Sequence, residues 1–489
     1  MELVRFDQAF VATLRDLAPE ETVRVDDWPI APGQRAPVVL RRFDVYAPDA
    51  KIVVVDGDRE VEVPRTATHY YLGARIDGSG RFAVGLDPDF GTIRANLSYD
   101  KEGYALLPEE DGSGQHRLAR KTAFEADGAP GRTWTCGQED VPLDENGPFS
   151  PPTAEQPPGS RSFEALAPAT KVAVIAVDTD NEFMNTKFGN NTANATAYIA
   201  DLFLGMNVVY ERDVNLRLLQ GYTVLRPSTT TDPYSAFGSD CDPGPAVELC
   251  ANSTQLAEFR TYWNTNYAPV KRALAVMLSG KQTSSGSASG IASLNVLCGT
   301  FGYSFNQVFK FAQQTALSDV GIVAHEIGHN MASPHTHCYA NPKPDTCYQF
   351  ETSSGNCFSG SPSCPAETVY NGVTARGTLM SYCHLLGGCS AEDVFHPESL
   401  TRYVNGAVAA ATSCAFAIGA AAPTITSLSV TSGVLGGGTS TVITGTNFAS
   451  GATVAFVELP SNDVFGTPSS KPAASVTFNS STSLTVTTP

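Results

Sequence analysis

Apolar and polar positions alternate through the first part of the chain, with turn residues between the runs. Residues 42–46 (Arg-Phe-Asp-Val-Tyr) and 51–55 (Lys-Ile-Val-Val-Val) read as strands, and Asp56-Gly57 is a hairpin signal. The pattern continues over residues 70–86 and 90–99, so a β-rich domain is expected over residues 1–143. His69 and His116 stand alone in it, and isolated histidines are ordinarily structural. Residues 144–169 carry Pro148, Pro151, Pro152, Pro157, Pro158 and Gly159 with little to bury. That composition predicts an exposed linker and a natural place for proteolytic cleavage, between Pro158 and Lys171.

From Lys171 the pattern changes. Residues 171–177 are continuously apolar after the lysine, as in a strand buried on both faces. Helical periodicity follows over 193–209, with strands over 216–225, 272–278 and 291–297. A further helix carries residues 320–329, and a last one runs over 400–411. Strand alternating with helix predicts an α/β domain with a mostly parallel sheet over residues 170–416. Residues 422–489 are rich in Ser, Thr, Gly and Val without cysteine, the pattern of a small β-sandwich. A chain of 489 residues has room for several such cores.

Composition narrows the function classes. The formal charge of −18 argues against nucleic acid and anionic membrane surfaces as the main partner. No stretch is long and apolar enough for a transmembrane helix. Residues 1–7 lack the apolar core of a signal peptide. Ten of eleven cysteines fall between Cys241 and Cys414, an even number at close spacings, as in a disulfide framework made outside the cytoplasm. No pair has the C-x2-C spacing of a cysteine zinc cluster. Local pairing (Cys241 with Cys250, Cys357 with Cys364, Cys383 with Cys389) is the simplest connectivity, although spacing does not decide it. A secreted protein exported through a leader outside this sequence is the expectation.

Residues 325–335 read H-E-I-G-H-N-M-A-S-P-H. On a helix His325 and His329 lie one turn apart on one face, so both imidazoles can reach one ion. Val320, Val323, Ala324 and Ile327 form the stripe that anchors this helix in a core. Glu326 sits beside the ligands, placed to take a proton from the attacking water. Pro334 ends the helix, and the chain returns with His335 as third ligand. Three histidines leave one position open, as a catalytic Zn2+ site requires. His337, two residues further on, is an alternative third ligand with a poorer offset.

Downstream lies Gly377-Thr-Leu-Met380-Ser-Tyr382. The pair of motifs resembles the metzincin zinc metallopeptidases, in which the extended histidine motif is followed by a methionine turn beneath the metal. Asn330 after the second histidine resembles the reprolysin (adamalysin-like) branch. His335-Thr336-His337-Cys338 and Met380-Ser-Tyr-Cys-His384 resemble its bacterial secreted members. The likeness covers about residues 170–415, and the first domain is similar to a reprolysin-type propeptide. The resemblance implies a zinc-dependent endopeptidase acting on protein or peptide. It also implies that strand 291–297 lines the substrate and that Tyr382 is a candidate oxyanion stabiliser, with a packing role as the alternative. Two positions depart from the family pattern. Ala332 stands where glycine is usual, at a cost of about 1–2 kcal/mol if the backbone there is left-handed. Thr336 stands where reprolysins often carry aspartate.

Cys136, followed by Gly137 at the end of the first domain, resembles the latency cysteine of metzincin propeptides, whose thiolate can take the open metal position. A cysteine without a role is the alternative. Asp178, Asp180 and Glu182 invite a Ca2+ reading, and reprolysins sometimes bind calcium near there. The segment fails the EF-hand pattern at Phe183 and Gly189, so a solvated strand end is the plainer expectation. Segments around Gly436-Gly-Gly-Thr439, Ile443-Thr-Gly-Thr-Asn447 and Gly451-Ala-Thr-Val454 resemble an immunoglobulin-like IPT/TIG domain, which implies a spacer or a contact with a surface or matrix partner. Two rivals to the peptidase are a non-catalytic adhesin on the same scaffold and a zinc hydrolase of small molecules. Retention of Glu326 argues against the first, and an open substrate cleft would argue against the second.

Overall fold

The computed structural model describes residues 1–77, 80–99, 102–109, 111–124, 134–136, 169–234, 242–243, 248–249, 253–281, 288–308, 316, 319–417, 424–434, 436–446, 448, 452, 454, 455–458, 469–480 and 482–489. The linker expected over 144–169, Ala169 apart, lies outside them, as do Cys241 and Cys250. The chain forms two compact units, Met1–Ala415 and Phe416–Pro489. Among the described residues no helix is long and apolar enough to cross a membrane.

The first unit holds two large sheets. The N-terminal one is antiparallel, in the order Glu2–Val4, His116–Arg120, Glu102–Pro108, Ile93–Tyr99, Arg81–Leu86, His69–Arg75, Gln34–Phe43, Thr22–Ala31. One face packs Trp28, Val38, Leu40, Tyr71, Val84 and Leu106 around Leu14 of the helix Gln8–Asp16. That helix begins where Asp7 accepts a hydrogen bond from Ala9 N. The other face gives Tyr70, Leu72, Ala74 and Ala83 to a core shared with the long helix Thr192–Asp213. Buried area is thus shared between the N-terminal sheet and the rest of the unit.

The second sheet runs Trp134–Cys136, Ala288–Ala292, Tyr303–Gln307, Leu274–Ser279, Lys171–Thr179, Leu216–Leu225, Ile52–Asp56, Arg59–Val63. Its neighbours are parallel except where Ala288–Ala292 meets Tyr303–Gln307 and within the final hairpin. The hairpin announced by Asp56-Gly57 forms, with Gly57 at φ +59°. Its location was not legible: Ile52, Val53 and Val54 pair with Thr223, Val224 and Leu225 of the second sheet. N-terminal residues therefore supply both outer edges of this sheet.

Several elements depart from the sequence reading. The strand expected over 42–46 is the end of Gln34–Phe43. The strand expected over 291–297 is Ala288–Ala292; left-handed backbone at Asn295 (φ 57°) and Cys298 (φ 64°) ends the extended run. The N–H groups of Asn295 and Val296 bond instead to the carbonyls of His329 and Asn330. The helix Thr192–Asp213 is longer than expected, its start fixed by Asn191 accepting from Asn194 N. The helix Ser253–Asn266 gave little signal because it buries only Gln255, Leu256, Phe259 and Trp263. Asp178 and Asp180 are no solvated strand end, for both are fully buried. Asp178 accepts from Arg226, Tyr234 and Trp263, and Asp180 from Gly280 N and Ser279, with Lys281 close by.

The disulfides correct the local pairing expected for Cys357 with Cys364 and for Cys383 with Cys389, while Cys241 and Cys250 lie outside the described residues. Cys298 joins Cys414, Cys338 joins Cys357, Cys347 joins Cys383 and Cys364 joins Cys389. Neighbours in sequence are steered apart by the irregular chain, and the bridges span from 19 to 116 residues. The second unit has a four-stranded antiparallel sheet, Thr424–Leu428, Ser440–Thr446, Ser483–Thr487, Ser475–Ser480, and a hairpin of Ala455–Glu458 with Ser469–Pro472. A small core of Ile443, Phe448, Leu484 and Val486 holds it together.

A buried charge network joins the N-terminal sheet to the long helix. Arg41 and Arg217 both donate to Glu211, and both also reach Glu20. Arg41 and Glu211 are almost wholly out of solvent. Removing the shared anion would leave two guanidiniums buried with one partly exposed partner. Glu211→Ala is expected to lower stability by about 3–5 kcal/mol, read as the shift of the urea midpoint; a change below about 1 kcal/mol would contradict this reading.

Candidate metal and catalytic site

The motif helix spans Val320–Asn330 and is buried almost all round. Val320, Val323, Ala324 and Ile327 enter the main core as their spacing predicts. Tyr210 of the long helix donates to Ala324 O at 2.7 Å. At the other end Asn330 donates from Nδ2 to Ser293 O (2.8 Å) and Tyr303 O (3.0 Å). Asn330 thus ties the helix terminus to the start of the strand Tyr303–Gln307 and to the residue just past Ala288–Ala292. Gly328 is needed for close packing: a Cβ there would stand 2.5 Å from Met380 Sδ.

After the helix the chain turns through Ala332 at φ +74°. The position usually held by glycine does need a left-handed backbone. Alanine is accommodated with its methyl buried against Tyr339 and Tyr403. Pro334 follows, and His335 then faces the two helical histidines. The three Nε2 atoms lie 3.0, 3.1 and 3.2 Å apart. A tetrahedral Zn2+ with Zn–N of about 2.0–2.1 Å calls for nearly that spacing.

The opposite ring nitrogens decide the tautomers. His325 Nδ1 donates to Leu379 O (2.6 Å), His329 Nδ1 to Ser333 O (2.7 Å) and His335 Nδ1 to Glu351 Oε2 (2.6 Å). Carbonyls and carboxylates only accept, so each proton sits on Nδ1 and three Nε2 lone pairs converge. Lone pairs facing one another are satisfied by a shared cation, so the donor set fits Zn2+. Burial holds the His325 and His329 pKa values well below the usual histidine value, and their histidine neighbours push the same way. The neutral, ligating form is therefore favoured.

Glu326 lies beside the cluster, and burial raises its pKa well above the carboxylate range. Gly290, on the strand Ala288–Ala292, makes room for it: a Cβ there would collide with Glu326 Oε1. Met380 is fully buried beneath the cluster, and its carbonyl accepts from Thr336 N (3.0 Å) and Thr336 Oγ1 (3.1 Å). Thr336 also donates to Asp345, so a carboxylate does stand near this position, brought from elsewhere in the chain. Tyr382 packs with its ring centroid 4.4 Å from that of His335.

Cys136, singled out in the sequence, is brought to the cluster by the sheet topology. Trp134–Cys136 adds to the sheet as a parallel edge strand, with Cys136 opposite Gly290. The thiol and the three histidine Nε2 atoms lie within 4.8 Å of one another. Sγ is 3.3 Å from Glu326 Oε2. Tyr382 OH accepts from Cys136 N and donates to Cys136 O, each at 2.8 Å. The indole of Trp134 stacks on His384, which donates from Nε2 to Trp134 O (2.9 Å).

All the residues singled out in the sequence (His325, Glu326, His329, His335, Met380, Tyr382 and Cys136) converge here. His337 is not among the converging nitrogens; its Nε2 donates to Glu351 Oε2 at 2.7 Å. His396 accepts from Glu398 N and caps a short helix. Glu351, Asp345 and Gly290 were missed. The first two sit in irregular chain with no periodic signal, and a glycine that clears space for a carboxylate has no local signature.

Residues 169–382 match a reprolysin model described as Metallo-peptidase family M12. No curated protein matches the chain at a significant level. The family match and the histidine cluster support a zinc-dependent metallopeptidase with a protein substrate.

Two substitutions test this geometry. Gly290→Ala is expected to displace Glu326 and lower peptide hydrolysis roughly 10²-fold or more with an unchanged circular dichroism spectrum; full activity would show that the carboxylate tolerates movement. At Ala332 the relief of left-handed strain, about 1–2 kcal/mol, is offset by chain entropy and a lost buried methyl of similar total size. Ala332→Gly should therefore change stability by less than about 1 kcal/mol, whereas Ala332→Val should lower it clearly, as read by thermal unfolding.

Proposed function

We propose that the chain is the precursor of a secreted zinc endopeptidase of the reprolysin-like metzincins, latent while its N-terminal region stays in place. The convergence of three histidine lone pairs with Glu326 beside them carries this reading. His325, His329 and His335 would hold Zn2+, which when bound would supply Lewis-acid chemistry toward a peptide carbonyl and a water. Glu326, placed beside the three histidines, is the base that takes the proton from the attacking water and hands it to the departing amine. The strand Ala288–Ala292 offers its free edge to an extended peptide once Trp134–Cys136 leaves. Tyr382 is the oxyanion stabiliser in this reading; its hydroxyl is already bonded to a peptide backbone, that of Cys136.

Latency rests on the same contacts. Cys136 brings its thiol to the open ligand position, and its backbone takes the Tyr382 hydroxyl. The hairpin Ile52–Asp56 with Arg59–Val63 and the Arg41–Glu211 pair hold the N-terminal region by other means. Cleavage in the linker therefore opens the way to activation, and departure of the N-terminal region completes it. Four disulfides among the described residues support an oxidising, extracellular setting. The reading of a Ca2+ site near Asp178 has little to recommend it, since Arg226 and Lys281 already serve those carboxylates. The C-terminal unit is read as an IPT/TIG-type immunoglobulin-like module acting as a spacer or surface contact, supported by its two antiparallel sheets.

Casein hydrolysis by the zinc-loaded chain, followed during limited proteolysis, tests this proposal. The intact chain should be inactive, activity should rise as residues 1–136 are removed, and Glu326→Ala processed identically should lose roughly 10²–10⁴-fold. A 1,10-phenanthroline arm should abolish the activity. Processed wild-type protein as inert as Glu326→Ala would overturn the reading.

A further inference from the structure

The three histidines of the cluster are not held alike. His325 and His329 project from a buried helix, and their Nδ1 protons are fixed by backbone carbonyls. His335 lies beyond the helix, in chain without regular structure except the short turn Thr336–Cys338. Its Nδ1 has a side-chain acceptor instead, Glu351. This carboxylate is 4% exposed, and both its oxygens are engaged. Oε2 accepts from His335 Nδ1 (2.6 Å) and His337 Nε2 (2.7 Å), and Oε1 from Ser353 Oγ (2.5 Å). The rings of His335 and His337 stack at 5.4 Å and 8°.

Glu351 is 16 residues from His335, too far for local chain geometry to hold it. The Cys338–Cys357 bridge closes the intervening loop, and Phe358 N donates to His337 O at 2.9 Å. The loop thus starts beside the third histidine, is stapled to itself, and carries two buried carboxylates, Asp345 to Thr336 and Glu351 back to the imidazole. A carboxylate on the far nitrogen of a metal-binding histidine fixes the tautomer and raises the basicity of the ligating nitrogen.

We propose that Glu351 is the positioning residue for the third zinc ligand, holding His335 as the Nδ1–H tautomer with Nε2 turned to the metal. His337 is its second donor, which pins the carboxylate in plane and keeps it from swinging away. The Cys338–Cys357 bridge sets the distance at which Glu351 meets His335. This inference rests on the zinc reading above and adds a group outside both motifs to it.

Zinc affinity of the full chain, measured by competition with a chromophoric chelator, provides the test. Glu351→Gln keeps the size of the side chain but replaces one acceptor oxygen with a donor, and should weaken zinc binding about 10–100-fold. Glu351→Asp should fall between the variant and wild type, and His337→Ala should change affinity less than Glu351→Gln does. Glu351→Gln and Glu351→Ala proteins that bind zinc as tightly as wild type would overturn the proposal. Should the variants not fold, long-range 1H–15N spectra of histidine-labelled, zinc-loaded wild-type chain decide it. A proton on His335 Nδ1 and on His337 Nε2 is expected, and a His335 proton on Nε2 would overturn the assignment. A wild-type chain that binds no zinc would instead sink the zinc reading itself, a separate outcome.

Discussion

Three imidazole nitrogens are held about 3 Å apart with their lone pairs facing inward, an arrangement that repels itself unless a cation is shared. Much of the surrounding structure serves to impose it. The motif helix is clamped by Tyr210 at one carbonyl and by Asn330 at its end. Leu379 and Ser333 supply carbonyls, and Glu351 a carboxylate, to keep each proton on the outer nitrogen. The Met380 turn fits beneath because Gly328 presents no side chain. Since buried polar groups are costly when unpaired, each of these partners is required by the one before it.

The second constraint is the way the N-terminal region is built into the unit. A region that merely covered the histidine cluster would need only the contacts around Cys136. Here the region also extends the second sheet by a hairpin at its opposite edge and shares a hydrophobic core with the long helix. The Arg41–Glu211–Arg217 network lies within that seam. Backbone pairing, apolar burial and buried charge thus act at separated places. The strand Trp134–Cys136 has only three residues, and its placement depends on these more distant anchors.

How much of this was legible varied with the range of the interaction. The strand over 171–177, the strand Leu216–Leu225 and the motif helix showed themselves because their periodicities are local and strong. The strand near the site was misplaced, since its end is decided by left-handed residues at Asn295 and Cys298 whose N–H partners lie on the helix. The cysteines showed a framework and not its connectivity, because irregular chain separates sequence neighbours. Cys357 and Cys364 lie seven residues apart and belong to different bridges.

By itself the sequence determined which residues gather at the site. H-E-x-x-H on a helix and a proline-forced return are short-range patterns that helix geometry converts into positions, and the methionine turn was implied by the family resemblance. It also marked Ala332 as a departure from the family's glycine, and only the structure showed that the backbone there is left-handed. Tertiary structure alone decided what supports and covers that cluster: Glu351 behind His335, Gly290 making room for Glu326, and Cys136 opposite Gly290. Each of these is a contact between segments separated by many residues and by irregular chain. No local spacing encodes such a meeting, because it is set by how sheets, loops and disulfides close in space.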